Sequence, residues 1–133
     1  MRSPIRAIAA PVAFLVLLSA CGPGAAVPPS PGVKLVQNAT TSGLPTVAEF
    51  GAATCASCRD MKTVLDSVAR RTGGRAHVLI IDIRKDYEAA QAFRIQMMPT
   101  QVFFGPDGRE IWRHIGKLTE DEVISRLGIS ATP

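Results

Sequence analysis

Short hydrophobic blocks alternate between strand-like and helix-like spacing from residue 34 onward. The apolar run at residues 44–50 predicts a buried strand. A helix is expected to begin at Cys55 and to end at Gly73-Gly74, because apolar positions recur at helical spacing between them. These positions are Met61, Val64, Leu65 and Val68. Residues 77–83 are nearly continuous Val, Leu and Ile, which favours a strand covered on both faces and therefore central in the sheet.

The second half of the domain continues the same alternation. Residues 86–93 predict a short helix, and residues 100–104 predict a strand that ends at the turn Pro106-Asp107-Gly108. Residues 110–115 are expected to return antiparallel to that strand. A capping-box-like start at Thr119 opens the last helix. The predicted element order is β-α-β-α-β-β-α, which is an α/β arrangement.

The N-terminus has the features of an export signal. Arg2 and Arg6 carry positive charge ahead of an apolar run at residues 7–18, which is too short for a convincing membrane span. The following Leu18-Ser19-Ala20-Cys21 resembles the bacterial lipobox, which implies cleavage after residue 20 and lipidation of Cys21. An ordinary secretory signal or an uncleaved anchor helix are the alternatives. The lipobox predicts permanent attachment to the membrane through the acyl chains.

The segment after Cys21 is rich in proline and glycine, so residues 21–33 are expected to form a flexible linker, with the folded domain at residues 34–133. The protein is therefore expected on the periplasmic side of a bacterial membrane. Its formal charge of +4 falls to +2 when Arg2 and Arg6 leave with the signal. Nothing in this charge indicates a nucleic-acid partner.

Without Cys21, the only cysteines are Cys55 and Cys58, three positions apart at the start of the predicted helix. Thiol–disulfide exchange needs an attacking thiolate, a nearby resolving thiol and a lowered pKa, and a helix N-terminus favours the thiolate. Half of a zinc site would have the same spacing. The second half is missing, however, because there is no other cysteine pair and His77 and His114 are isolated. A redox pair is favoured, and no metal or other cofactor is expected.

Three segments resemble the thioredoxin family. Residues 47–61, VAEFGAATCASCRDM, are similar to its active-site segment, and residues 93–100, FRIQMMPT, to the segment that carries its cis-proline. Pro106-Asp107-Gly108 with Gly116 is similar to its last hairpin. The resemblance covers residues 34–128. It implies a thioredoxin fold, with a central mixed sheet of four to five strands flanked by helices on both faces.

The resemblance also assigns roles to individual residues. The position of the pair at the helix N-terminus already predicts that Cys55 is the nucleophile and that Cys58, one turn further in and more buried, is the resolving cysteine. Pro99 is expected to be cis and to lie against the sulfurs, and the backbone of Met98 is expected to pair with an extended substrate. Thr54, which stands where the family has tryptophan, is placed with these two among the substrate-contacting residues.

Glu49 occupies the position at which thioredoxins have a buried aspartate that exchanges protons with the resolving cysteine. A longer carboxylate with a pKa raised by burial is expected to do the same work. A purely structural strand glutamate is the alternative. The lysine that accompanies the acid in the family has no counterpart, since Ile80 takes its place, so the charge coupling around Glu49 is open.

The direction of electron flow stays open, because the residues that tune the redox potential, Thr54 and the dipeptide Ala56-Ser57, depart from the family pattern. The leading expectation is reduction of disulfides in exported proteins, for example in cytochrome c maturation, by a monomer recharged by a transmembrane thiol donor. A disulfide oxidase or isomerase is the alternative within the same chemistry. A Cu(I) metallochaperone is another, because Met97-Met98 add thioether ligands to the thiolates.

Overall fold

The computed structural model describes residues 28–130, which contain four helices and four strands. In chain order these are α1 (Pro31–Thr40), β1 (Thr46–Gly51), α2 (Ala56–Thr72), β2 (His77–Asp82), α3 (Tyr87–Ala92), β3 (Thr100–Phe104), β4 (Glu110–Ile115) and α4 (Glu120–Leu127). The predicted signal peptide and Cys21 lie outside the described residues. Within residues 28–130, no helix combines the length and the hydrophobicity that a membrane crossing requires.

The strands form one mixed sheet in the order β2-β1-β3-β4. β1 pairs parallel with β2 and antiparallel with β3, and β4 returns antiparallel to β3 as predicted. The expectation that residues 77–83 form a central strand is wrong, because β2 is at the edge of the described sheet and only Ile81 in it is fully buried. The central position belongs to β1, whose six residues are all buried.

Helices cover both faces of the sheet, as expected. Val47 of β1 and Phe103 of β3 pack under α2 and α4 in one cluster, while Ala48, Phe50 and Val102 pack with α1 on the other side. Because side chains alternate along a strand, Glu49 lies on the same face as Val47. This register places Glu49 under α2, the helix that carries Cys58.

The linker boundary predicted at residue 33 is also wrong, because α1 begins at Pro31. Ser30 caps this helix by accepting a hydrogen bond from the Val33 N–H (3.4 Å), and proline is well suited to the first helical turn. Val33 and Val36 are buried at helical spacing against the sheet. Residues 31–33 therefore belong to the folded domain, which has one more helix than predicted.

Local signals placed the other elements correctly. α2 ends at Gly73, which adopts a left-handed conformation (φ 57°) that glycine accepts without steric cost. α4 begins with the predicted capping box, in which Thr119 and Glu122 each bond the other's backbone N–H. Between these ends, α2 and α4 pack on the face of the sheet that holds Glu49.

Candidate active site

Cys55 is the N-cap of α2, at the end of the loop that follows β1. Its sulfur accepts a hydrogen bond from the Cys58 backbone N–H at 3.3 Å and is joined to the Cys58 sulfur in a disulfide, with the two Cα atoms 5.2 Å apart. Cys55 is partly exposed, whereas Cys58 is only 5% exposed. The helix N-terminus therefore presents one accessible and one buried sulfur, as predicted from the spacing.

Ser57 adds a second polar contact to the outer sulfur. Its Oγ lies 3.3 Å from the Cys55 Sγ, and because a disulfide sulfur carries no proton, the hydroxyl is the donor. The same hydroxyl can stabilise a Cys55 thiolate after reduction. The sequence drew attention to Ala56-Ser57 as tuning residues, and the structure identifies Ser57 as the one that contacts the sulfur.

The Met98–Pro99 peptide bond is cis, as predicted, and the position of Pro99 against the sulfurs stays a prediction. The Pro99 carbonyl accepts a hydrogen bond from the Gly116 N–H (2.9 Å), so the loop after β4 is tied to the segment before β3. Met97 and Met98 are 59% and 36% exposed, and Thr54 is also at the surface. Their contacts with a substrate remain a prediction.

Glu49 is 1% exposed, and neither of its carboxyl oxygens has a hydrogen-bonding partner within residues 28–130. Its position relative to Cys58 follows from Gly51, which lies between them on the same face. A Cβ added to Gly51 would lie 3.1 Å from both the Glu49 Oε1 and the Cys58 Sγ, so these atoms are separated by at most twice that distance. The carboxyl and the inner sulfur are therefore close neighbours.

A cavity of about 160 Å³ lies beside this pair. Its walls are largely apolar near Ile80 and Ile81, and charged side chains also line it. The lining residues that carry charge are Glu49, Arg59, Lys62 and Asp82. Both carboxyl oxygens of Glu49 are themselves buried, so the carboxyl lies in a largely apolar environment.

Burial raises the pKa of Glu49 from 4.5 to about 7, because desolvation penalises the charged carboxylate. The positive charge of Lys62 opposes this shift and the negative charge of Asp66 adds to it. Lys62 and Asp66 are themselves joined by an exposed ion pair of 2.7 Å. Glu49 can therefore gain and lose a proton near neutral pH.

Lys62 supplies the positive charge near Glu49 that position 80 lacks. Ile80 pairs with Glu49 in the sheet and supplies no charge, as expected. The cation instead comes from α2, where Lys62 is one turn beyond Cys58 and lines the cavity. Sequence reasoning missed Lys62, although its spacing of four residues from Cys58 was a usable signal.

The histidines lie away from the sulfurs in two separate contacts. His77 Nε2 is 2.9 Å from the Ser42 Oγ, and the His114 ring stacks on Trp112 with centroids 5.5 Å apart. Within residues 28–130, no three His, Cys, Asp or Glu side chains are grouped so that they would hold a metal ion. The arrangement offers a dithiol and a titratable carboxyl, which suffice for thiol–disulfide exchange.

The thioredoxin family model matches residues 34–128. The chain therefore belongs to the thioredoxin family. The fold agrees, since the crystal structure of chloroplastic thioredoxin z superimposes with a TM-score of 0.66 and 25% identity over 73% of this chain and 87% of that one. The thioredoxin of Fasciola hepatica gives a TM-score of 0.60 and 26% identity over 72% and 88% of the two chains.

Sequence relatives match over shorter stretches. Thioredoxin-1 of Drosophila melanogaster is 35% identical over 63 residues, or 47% of this chain and 59% of that protein. The chloroplastic thioredoxin Y of Oryza sativa subsp. japonica is 28% identical over 83 residues, or 62% and 49%. The chain thus spans about half the length of the curated relatives it matches.

The raised pKa of Glu49 predicts a pH-dependent loss of stability. Between pH 4.5 and about 7 the unfolded chain releases this proton while the folded protein keeps it, so the free energy of unfolding falls as pH rises through this window. The full difference is on the order of 3 kcal/mol. Chemical denaturation of the oxidised protein measures the free energy of unfolding. It should fall across this window in the wild type and should fall less in Glu49→Gln.

The matched control is Glu88→Gln, which removes an exposed carboxyl from α3. Glu88→Gln should retain the wild-type fall in stability across the window. If Glu49→Gln and Glu88→Gln have the same pH dependence, the carboxyl of Glu49 does not titrate near neutral pH in the folded protein.

The charges on α2 predict opposite effects of two substitutions on Glu49. Lys62→Met should raise the pKa of Glu49 above about 7, because it removes the opposing positive charge. Asp66→Asn should lower the pKa, because it removes a like charge and releases Lys62 from its ion pair. A ¹³C NMR titration of labelled glutamate carboxyls measures both, and shifts of the same sign would contradict this account.

Proposed function

We propose that this protein is a thiol–disulfide oxidoreductase that reduces disulfide bonds in exported proteins. The observation that carries the proposal is the position of the cysteine pair, with one accessible sulfur capping α2 and one buried sulfur beside a titratable carboxyl. Membership of the thioredoxin family supports the same chemistry. No bound cofactor is required, since the two thiols carry the electrons themselves.

In the first step the Cys55 thiolate attacks one sulfur of the substrate disulfide. A mixed disulfide forms, the substrate S–S bond breaks, and the other substrate sulfur leaves as a thiolate that takes a proton from solvent. Cys55 suits the attack because it is the more exposed sulfur and because the Cys58 N–H and the Ser57 hydroxyl both point to it. These donors stabilise the negative charge on the sulfur.

In the second step Cys58 resolves the mixed disulfide. Its thiol gives a proton to the Glu49 carboxylate, and the resulting thiolate attacks the Cys55 sulfur. This closes the Cys55–Cys58 disulfide and releases the second substrate thiolate, so two electrons have passed to the substrate. A pKa of about 7 suits Glu49 to this exchange, because near neutral pH it is present in both protonation states.

The substrate is expected to lie across Thr54 and Met98, which are exposed, beside the cis bond to Pro99, which is itself buried. Met97 and Met98 expose flexible apolar side chains beside the cis peptide bond, and such side chains adapt to varied partners. Backbone pairing at Met98 would then hold an extended segment next to Cys55. This surface suits many polypeptides better than one small ligand.

The cellular setting follows from the N-terminal sequence. The lipobox-like Leu18-Ser19-Ala20-Cys21 supports a lipid anchor at Cys21 that holds the domain on the periplasmic face of a bacterial membrane. Exported proteins, including cytochrome c precursors, are the proposed substrates. A transmembrane thiol donor would reduce the Cys55–Cys58 disulfide again, with the protein acting as a monomer.

The division of labour between the cysteines is tested by substitution. Cys55→Ser should abolish insulin reduction, because the attacking thiolate is lost, whereas Cys21→Ser should keep it in detergent solution. Cys58→Ser should accumulate mixed disulfides with its substrates in cells, and these are identified by mass spectrometry. Turnover by Cys55→Ser, or trapping through Cys58 in that variant, would reverse the assigned roles.

The reducing direction is tested by the redox potential of the Cys55–Cys58 pair. Related cysteine pairs have potentials from about −270 mV to about −120 mV. If the protein is a reductase, the potential of its pair should lie closer to the first value. Equilibration with glutathione or with a reference thioredoxin measures the potential. A value at the oxidising end would favour the oxidase alternative and contradict the reductase.

A further inference from the structure

Gln101 is the second buried polar side chain that lacks a partner. It lies on β3 with no exposed surface, and within residues 28–130 neither its amide nitrogen nor its amide oxygen is hydrogen-bonded. The carboxyl oxygens of Glu49 on β1 are likewise buried without a hydrogen-bonding partner. An unpaired buried polar group costs roughly 1–3 kcal/mol, so two such groups side by side are a strong indication of a missing interaction between them.

The sheet register brings these two residues together. Glu49 is directly opposite Gln101 in the antiparallel pair of β1 with β3. Residues opposite each other on neighbouring strands point to the same face, with Cβ atoms roughly 4.5–5.5 Å apart. The next pair on this face, Val47 and Phe103, packs in one cluster, which confirms the shared orientation. Rotation about side-chain bonds can therefore bring the amide and the carboxyl into contact.

A glutamine is suited to both protonation states of such a carboxyl. Its amide N–H donates to the ionised carboxylate, and its amide oxygen accepts from the protonated acid. An apolar side chain at the same position would favour the neutral acid alone, through desolvation. The amide can thus follow the carboxyl through a full cycle of proton gain and loss.

We propose that Gln101 is a positioning residue that hydrogen-bonds the Glu49 carboxyl and holds it toward Cys58 while the proton moves between them. The inference rests on the proton exchange proposed above. Gln101 makes no hydrogen bond to either sulfur and acts only through Glu49. A residue on β3 thereby controls the resolving step on α2.

Other charged groups also face Glu49 and must be kept constant in a test. α2 contributes Lys62 and Asp66 to its electrostatic environment. Arg59 of α2 and Asp82 of β2 line the same cavity as Glu49. From β4, His114 is opposite Gln101 in the register and on the same face. None of these is altered by substitution at position 101.

The wild-type protein provides the first test, by NMR. If Gln101 bonds the carboxyl, its side-chain amide signals should move with pH and share the midpoint of Glu49, near 7. The shift should vanish in Glu49→Gln. Amide signals that stay constant while Glu49 titrates would overturn the proposal, and this result needs no variant of Gln101 that might fail to fold.

Substitution provides the second test. Gln101→Leu removes the donor to the carboxylate, so the pKa of Glu49 should rise and disulfide reduction on the acid side of neutrality should slow roughly tenfold. Gln101→Asn keeps a shorter amide and should restore part of the rate. The control Thr46→Val changes a buried polar residue on the opposite face and should leave the pH profile unchanged.

The outcomes separate this proposal from the proposed function. If Glu49 titrates near 4.5 in the wild type, the proton exchange itself fails, whatever Gln101 does. If Glu49 titrates near 7 but the folded Gln101→Leu protein keeps the wild-type pKa and pH profile, only the role of Gln101 is overturned. A merely structural glutamine would change stability and leave both readouts in place.

Discussion

The burial of the Glu49 carboxyl beside Cys58 is the constraint on which the rest of the site depends. A carboxyl in the middle of a fully buried strand is costly when ionised, and the cost raises its pKa to about 7. The surrounding residues make this tolerable and useful. Gly51 leaves the space between the carboxyl and the sulfur open, and the positive charge of Lys62 moderates the rise in pKa.

The same constraint explains why the two cysteines differ although they are three residues apart. Cys55 is at the N-terminus of α2, where a backbone N–H and a hydroxyl donate hydrogen bonds to its sulfur. Its activation therefore requires no buried charged group. Cys58 is inside the first turn of α2, where its sulfur is buried near the Glu49 carboxyl. One sulfur is therefore activated by the helix terminus and the other by a base in the core, and each mode of activation suits one of the two steps.

Much of this could be predicted from sequence because the signals are local. Helix caps at Cys55 and Thr119 and the turn at residues 106–108 depend on neighbours along the chain.

The two errors in the fold arose where local composition was ambiguous. The apolar residues of β2 indicated burial without saying that the strand is at an edge, and the proline and glycine before Val33 concealed the start of α1. The cis bond at Pro99 was predictable only from the family resemblance. Lys62 was missed although its spacing of four residues from Cys58 was a usable signal. Gln101 was missed because its proximity to Glu49 depends on strand register, which no short motif encodes.

The central claim is that Glu49 accepts the proton of Cys58 as the mixed disulfide is resolved. The most direct test is the rate of that step as a function of pH, followed in single turnovers of the wild type and of Glu49→Gln. The account predicts a wild-type rate that rises through a midpoint of about 7 and a variant in which this dependence is lost and the rate below the pKa of the thiol is much lower. Equal rates and equal pH profiles in the two proteins would contradict it.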